Sequence, residues 1–347
     1  MRSHTFALAC AAALLAAAAA LTPAPPAAAA QENGDGPAGY KISGPYTHKN
    51  LSVFLIHGRE RTADAKTYLT LSEALTTKKV VVYETKSVNE LAIENVSGEE
   101  VFVQSGDIVK GGQQDRMIGV DLIVPARSGK IKIAAFCVEQ GRWTKRGGEA
   151  ATHFSSSTDR AATRELKLAA NKSRSQGEVW AEVAKTQSKL GKNVGGSVAA
   201  PISASSYQLS MENARVRATT EEYTNALAAV AAKHPDAVGY AFSINGKLNS
   251  ADVYASPALF RKLWPGLLKS SAVEALAELQ AGKPAASVGA DDVRAFISES
   301  EGGAATEREV TTRVRMTTRE SKSSILFETR DHHAARKGWV HKSYVKK

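Results

Sequence analysis

The segment from Glu90 to Trp143 constrains the fold more than any other part of the chain. It contains short runs of β-branched and apolar residues separated by glycine-containing turns, and two of these runs, Arg116–Val124 and Ile131–Glu139, alternate in character. Short strands with frequent turns are typical of antiparallel sandwiches and barrels. The sequence therefore predicts an antiparallel, sandwich- or barrel-like sheet in the N-terminal part of the fold.

The second half of the chain has a different pattern. Thr158–Ala170 and Glu178–Leu190 have the spacing of helices, and Asn245-Gly246 lies between two β-branched runs. An Asn-Gly pair in that position is a strong signal for a two-residue hairpin turn. We therefore predict an α+β fold, in which a β-rich N-terminal part precedes a helical and β-hairpin second half.

The first 30 residues have the composition of a secretory signal peptide. Arg2 supplies a positive charge, Phe6–Leu21 forms an apolar core, and small residues precede the expected cleavage point after Ala30. The core is shorter than a typical membrane span and prolines follow it, so cleavage is favoured over anchoring. No later stretch is long and apolar enough to cross a bilayer. We expect the protein to be exported to the periplasm or the extracellular medium.

Two further segments follow the signal peptide. Residues 31–44 are polar and glycine-rich, which predicts a flexible linker. Residues 45–347 are enough to bury a large core, and we expect a single globular domain, with possible lobes at 45–145 (β-rich) and 146–347 (mixed α/β). After cleavage Cys137 is the one remaining cysteine, so packing must stabilise this domain without an intramolecular disulfide.

The two alternating runs are predicted to pair as a hairpin with the loop Pro125–Lys130. In that register Ile118 lies opposite Cys137, and Arg116 lies opposite Glu139. One face of the hairpin is then apolar and ends in an ion pair. A slip of one residue would place aspartates among the apolar side chains, which favours this register.

Polar, glycine-containing segments adjoin both strands at one mouth of the hairpin. Glycines let backbone N–H groups approach a ligand, arginines donate planar hydrogen bonds to phosphate or carboxylate, and an indole offers a stacking face. A small anionic ligand with a flat ring, such as a nucleotide, suits these groups, although an ordinary turn and a cross-strand salt bridge would use the same residues. The candidate ligand-binding residues are Gly111, Gly112, Gln113, Arg116, Glu139, Arg142 and Trp143.

Catalysis and metal binding have weaker signals. Glu139 could act as a general base and Cys137 as a nucleophile, but isoleucines share the face of Cys137, as is typical of a core cysteine. The histidines at 332, 333 and 341 lack the spacing of metal ligands, so neither a metal site nor a cofactor is predicted. The sequence contains no P-loop, no G-x-S-x-G and no H-E-x-x-H motif.

The chain has a formal net charge of +10, and basic residues are concentrated in Arg308–Lys347. Such a segment could bind polyanions: nucleic acid, anionic lipid headgroups or envelope polymers. It could equally be an ordinary soluble surface, with lysines on an edge strand to prevent aggregation.

The two motifs resemble a known family. The sequences at Gly111–Arg116 and Cys137–Trp143 resemble the ARG and rhodanese-phosphatase superfamily associated protein domain, with further likeness at Gly177–Trp180 and Gly239–Leu263. The resemblance covers about residues 45–280. The family has no established activity. Its association with ADP-ribosylglycohydrolases implies a ligand related to ADP-ribose or NAD.

Three functions therefore remain open. The first is an exported ligand-binding domain for an anionic, nucleotide-like ligand, for which the resemblance implies a relation to ADP-ribose. The second is a hydrolase or transferase that uses Glu139, with or without Cys137. The third is an envelope structural protein that binds polyanions through Arg308–Lys347.

Overall fold

Antiparallel strands and the helices packed against them make up most of the described part of the chain. The computed structural model describes residues 40–58, 67–160, 163–280, 288–333 and 338–347. The predicted signal peptide lies outside the described residues, as does most of the predicted linker. Residues 41–44, which the linker was predicted to include, begin the first strand, where Ile42 is buried.

Seventeen strands and eight helices are described, numbered in chain order. The strands are β1 Lys41–His48, β2 Leu51–His57, β3 Leu69–Thr70, β4 Val80–Ser87, β5 Glu90–Asn95, β6 Val101–Val103, β7 Asp107–Gly111, β8 Arg116–Ile118, β9 Leu122–Val124, β10 Ile131–Cys137, β11 Phe154–Arg160, β12 Ala237–Ile244, β13 Lys247–Tyr254, β14 Ala304–Glu309, β15 Val314–Glu320, β16 Ser324–Asp331 and β17 Gly338–Lys346. The helices are α1 Leu71–Thr76, α2 Arg164–Leu168, α3 Gln176–Asn193, α4 Tyr207–Glu212, α5 Ala214–Leu227, α6 Ala229–Ala232, α7 Pro257–Ala277 and α8 Ala290–Glu301, with a π-helical turn at Ala169–Ser173. This mixture confirms the predicted α+β fold.

The first sheet joins both ends of the described chain. Its eight strands have the order β1-β2-β12-β13-β17-β16-β15-β14, and neighbouring strands are antiparallel. N-terminal β2 pairs with β12, so that Leu55 lies opposite Tyr240. The sheets therefore do not divide at residue 145, where the possible lobes were placed.

The second sheet lies within the β-rich part that the sequence predicts. Its six strands have the order β11-β7-β8-β10-β5-β4, and a small sheet, β3-β6-β9, accompanies it. Short strands and frequent turns keep neighbouring strands antiparallel, apart from the parallel pair β3 and β6.

The predicted hairpin is wrong in its register and in its extent. Ile118 lies opposite Ala135, and Arg116 lies opposite Cys137, two residues away from the predicted partners. A shift of two keeps the same side chains on the buried face, because side chains alternate with a period of two. The apolar pattern therefore could not distinguish the two registers.

The run Arg116–Val124 is also broken, because the chain changes sheets at Asp121. The Asp121 carboxylate accepts hydrogen bonds from the Ser105 N–H at 2.8 Å and the Thr329 hydroxyl at 2.8 Å. These bonds hold Asp121 between the two strands, outside the hydrogen-bonded pairing of either. After Asp121 the chain continues as β9, which pairs with β6 and not with β10.

Helix α7 is the central helix of the core. It begins at Pro257, directly after Ser256, whose side chain accepts a hydrogen bond from the Leu259 N–H. Its side chains are buried on nearly every side, and it packs against β12 of the first sheet and β11 of the second. A helix that is apolar around most of its circumference is stable only when surrounded by protein. Because it contacts strands of both sheets, α7 helps to join them.

Candidate functional site

The structure brings the two sequence motifs together at the ends of β7 and β10. The Arg142 guanidinium donates to Glu139 Oε1 at 2.7 Å and to the carbonyl oxygens of Gly112 and Gly111 at 3.3 and 3.4 Å. Gly111 and Gly112 have φ values of 121° and 57°, a conformation that glycine adopts without strain. The glycine turn and the Glu139–Arg142 loop therefore form one polar cluster.

Arg116 has a different partner from the one predicted. Its side chain is completely buried, and one guanidinium nitrogen lies 3.3 Å from Glu84 on β4. The other terminal nitrogen donates to the Gln114 carbonyl at 3.0 Å. The predicted Arg116–Glu139 ion pair is wrong, because the two-residue shift places Cys137 across from Arg116.

Glu139 instead shares a second arginine, Arg146, with Asp115. Arg146 donates to both carboxylate oxygens of Asp115 at 2.9 and 3.0 Å, to Glu149 at 2.9 Å, and to Glu139 at 3.5 Å. Burial raises the pKa of Asp115. Burial also acts to raise the pKa of Glu139, but hydrogen bonds, the strongest from Arg142, hold it below its usual range. No sequence motif marked Arg146 or Glu84.

These groups form what we call the arginine network. Each guanidinium nitrogen of Arg142 and Arg146 has a protein oxygen within 3.5 Å. Four carboxylates surround three arginines, so the network carries no excess positive charge to attract an anion. It fixes the loop after β10 onto the second sheet and onto Ser206, which caps α4. The network consists of Arg116, Arg142, Arg146, Glu84, Asp115, Glu139 and Glu149.

The remaining predicted residues differ in their exposure. Cys137 is completely buried, and burial raises the pKa of its thiol to about 11, so the thiol is protonated at neutral pH. This environment favours a core role over that of a nucleophile. The Gln113 N–H donates to Glu84 at 3.2 Å. Trp143 is 45% exposed, and it is the predicted residue best placed to stack against a ligand from solvent.

A second polar cluster, unmarked by any sequence motif, surrounds His341 on β17. Its Nδ1 lies 2.6 Å from Asp121, and its Nε2 lies 3.2 Å from Asp252 on β13. The imidazole stacks on the Tyr254 ring, with 4.6 Å between centroids. Burial acts to lower the pKa of His341, but the two carboxylates, Asp121 first, raise it to about 9. The ring is therefore an imidazolium at neutral pH.

A cavity of about 30 Å³ adjoins His341, which is room for roughly two water molecules. Its walls come from both sheets and from α2 and α7. Arg160, which pairs with Asp107, and Lys167 contribute positive charge. We call this region the charged cleft, and its polar lining comprises Gln104, Ser105, Asp121, Arg160, Lys167, Asn171, Asp252, Ser270, His341 and Ser343.

One carboxylate oxygen in the charged cleft is unsatisfied. Asp252 Oδ2 is buried and accepts no hydrogen bond from the described residues. The Lys167 ammonium lies 3.7 Å from it, beyond hydrogen-bond distance. Burial of a charged oxygen without a donor costs free energy, so this atom is suited to receive a hydrogen bond from a bound molecule.

The family model for the ARG and Rhodanese-Phosphatase-superfamily-associated Protein domain matches residues 39–345. Both motifs, the arginine network and the charged cleft fall inside this match. No curated protein and no solved structure matches the chain. The match spans most of the sequence, and the chain therefore belongs to this family.

Proposed function

We propose that this member of the family is an exported ligand-binding protein, and that the charged cleft takes the hydroxyl-bearing end of a small anionic ligand. The observation that carries the proposal is the unsatisfied Asp252 Oδ2 beside the Lys167 ammonium. Support for export comes from the charged start, apolar core and alanine-rich end of residues 1–30.

A hydroxyl group has the chemistry that this pair of side chains requires. It can donate a hydrogen bond to Asp252 Oδ2 while it accepts one from Lys167, and both bonds are strengthened by charge. Lys167 is partly exposed, so it can also approach an anionic group of the ligand. Sugars and sugar phosphates offer this combination of groups, and ADP-ribose is one member of the class.

The size of the cavity limits which part of a ligand can enter. A cavity of about 30 Å³ accommodates one or two small groups and not a whole nucleotide. The remainder of a larger ligand must therefore lie at the mouth of the charged cleft. Asp121 and His341 hold Asp252 in place before binding, and such preorganisation reduces the entropic cost of association.

The same geometry disfavours the enzyme alternative that uses Glu139 or Cys137. A carboxylate that accepts hydrogen bonds from arginines is a weak base, and a buried thiol with a pKa of about 11 is a weak nucleophile at neutral pH. Polyanion binding through Arg308–Lys347 is disfavoured because several of the described basic side chains there have acidic partners. Examples are Arg313 with Glu100 and Asp331, Lys342 with Glu301, and Lys346 with Glu299.

The test is a binding screen of the full chain by thermal shift, followed by calorimetry with each hit. The panel contains ribose, sugar phosphates, ADP-ribose, NAD and heparin. We expect a compound that contains a sugar phosphate to bind. Asp252→Asn and Lys167→Met should each weaken its affinity at least tenfold, and Trp143→Ala should leave the affinity unchanged. Loss of binding in Trp143→Ala alone would move the site to the predicted motif residues, and no binding by any compound would overturn the proposal.

A further inference from the structure

The end of β2 meets the connection between α6 and β12 in a cluster of histidine and carboxylate side chains. His57 is the last residue of β2, and its backbone pairs with Lys41 on one side and Ala237 on the other. The connection His234-Pro235-Asp236 is a tight turn, closed by a hydrogen bond from the Ala237 N–H to the His234 carbonyl at 3.0 Å. None of these side chains belongs to the charged cleft or the arginine network.

From this cluster we propose a binding site for a divalent transition-metal ion, with Zn²⁺ as the best match, formed by His57, His234 and Asp236. One ligand atom from each side chain lies within 4.8 Å of the other two. In one of these pairs, His57 Nδ1 and Asp236 Oδ2 are 2.9 Å apart. Atoms bound to one zinc ion at about 2.0–2.2 Å lie roughly 3–3.5 Å from each other, so small side-chain movements complete the site.

Two hydroxyl groups orient the histidine rings. His57 Nε2 lies 2.8 Å from the Ser43 hydroxyl, and His234 Nε2 lies 2.8 Å from the Tyr46 hydroxyl. A histidine that binds a metal through one ring nitrogen usually donates a hydrogen bond through the other, which fixes its tautomer and orientation. Because the hydroxyls contact Nε2 of both rings, and Nδ1 of His57 faces Asp236, we assign Nδ1 of each ring to the ion.

The exposure of the three ligands suits a site that metal can reach. His57 is 4% exposed, so its ring is held firmly, whereas the Asp236 side chain is 55% exposed and opens the cluster to solvent. Three protein ligands leave a fourth position for water, as in zinc sites that are not purely structural. Two imidazoles and a carboxylate suit Zn²⁺ better than Ca²⁺ or Mg²⁺, which prefer oxygen ligands.

The same contacts allow an alternative interpretation, in which Ser43, His57 and Asp236 are hydrogen-bonded in series as in a nucleophilic catalytic triad. That interpretation gives His234 no role, although its ring lies 5.4 Å from that of His57. It also places the acid at the surface, whereas the aspartate of a triad is buried. A metal ion uses all three side chains and both hydroxyls, so the geometry favours metal binding.

The experiment uses the full chain, purified without a polyhistidine tag and treated with a chelator. Zn²⁺ is titrated by calorimetry, and Co²⁺ is added in parallel because its visible absorption reports coordination number. We expect one ion per chain and a spectrum of low coordination number. His57→Gln, His234→Gln and Asp236→Asn should each weaken binding by at least about 100-fold, and Ser43→Ala and Tyr46→Phe by about 10- to 100-fold.

The matched control is His153→Gln, which removes an exposed histidine next to β11 of the second sheet and should bind Zn²⁺ like the parent chain. Circular dichroism of each variant distinguishes loss of a metal ligand from loss of folding. The Asp236→Asn variant should fold normally, because the substituted side chain lies at the surface. Stoichiometric binding that survives all three ligand substitutions would overturn the proposal. The absence of metal uptake by the parent chain would also overturn the proposal. If, in addition, a fluorophosphonate labels Ser43, the cluster would be reassigned to nucleophilic chemistry.

Discussion

Raising the pH from 7 to 9 brings His341 to its pKa of about 9, so that about half of the folded molecules lose the positive charge between Asp121 and Asp252. Both carboxylates are buried, and the pKa of each lies below its usual range, so both stay charged across this interval. Neutral His341 would leave two buried carboxylates with less compensation. We therefore expect the free energy of unfolding to fall over this pH range.

The size of the effect follows from the pKa of His341 in the folded and unfolded chain. The folded pKa is about 9 and the ordinary value is 6.5, so the folded state binds the proton more tightly. Stability from this difference is complete below pH 6.5 and is lost as the pH rises towards 9. At about 1.4 kcal/mol per pKa unit the whole difference is about 3 kcal/mol, of which about 2 kcal/mol is lost between pH 7 and 9.

Urea denaturation followed by tryptophan fluorescence measures this change, since the chain contains four tryptophans. The pH interval avoids two other groups. Glu274, with a pKa raised to about 7 by burial, affects stability mainly below pH 7, and Cys137 does so mainly above pH 9. His341→Gln should be less stable at pH 7 and should show a much smaller pH dependence, while His153→Gln should behave like the parent chain. A parent chain with no slope between pH 7 and 9, or a His341→Gln variant that keeps the full slope, would refute the reasoning.

Three further predictions concern stability and export. Glu274→Gln should stabilise the protein by up to about 3 kcal/mol at pH 8 in urea denaturation, and this gain should disappear near pH 4.5. Burial disfavours the carboxylate form of Glu274, so that its folded pKa of about 7 lies above the ordinary 4.5. Arg146→Met should cost about 3–5 kcal/mol in the same assay, because it leaves the Asp115 carboxylate buried without its main partner; Trp143→Ala, an exposed control, should change stability by less than about 0.5 kcal/mol. Intact-mass measurement of protein exported by a bacterial host should show cleavage after Ala30, and recovery of the uncleaved chain from the membrane would contradict the predicted signal peptide.

Local features of the sequence predicted local features of the fold. Asn245 and Gly246 form the tight turn between β12 and β13, with φ values of 50° and 69°, as a two-residue hairpin of this type requires. The glycine turn at Gly111-Gly112 and the loop of Arg142 also meet, because each adjoins the end of a strand in the second sheet. In both places neighbouring residues supply the geometry.

Long-range features could not be predicted in the same way. His341, Asp121 and Asp252 come from three distant parts of the chain, and only the pairing of β13 with β17 brings two of them together. The partners of the predicted arginines were missed for a similar reason: Glu84 lies on β4, and Arg146 lies in a loop with no regular pattern. A buried charge needs some partner, but periodicity does not reveal which one.

The position of β17 has a consequence for how the protein folds. β17 is the last strand of the described chain, yet it lies inside the first sheet between β13 and β16. While the chain is still emerging from a ribosome, β13 lacks one neighbour and the charged cleft lacks the imidazolium of His341. Contacts of such large sequence separation form late and slowly. The first sheet and the charged cleft would therefore stay incomplete until β17 is available, which is compatible with the export that we propose for this protein.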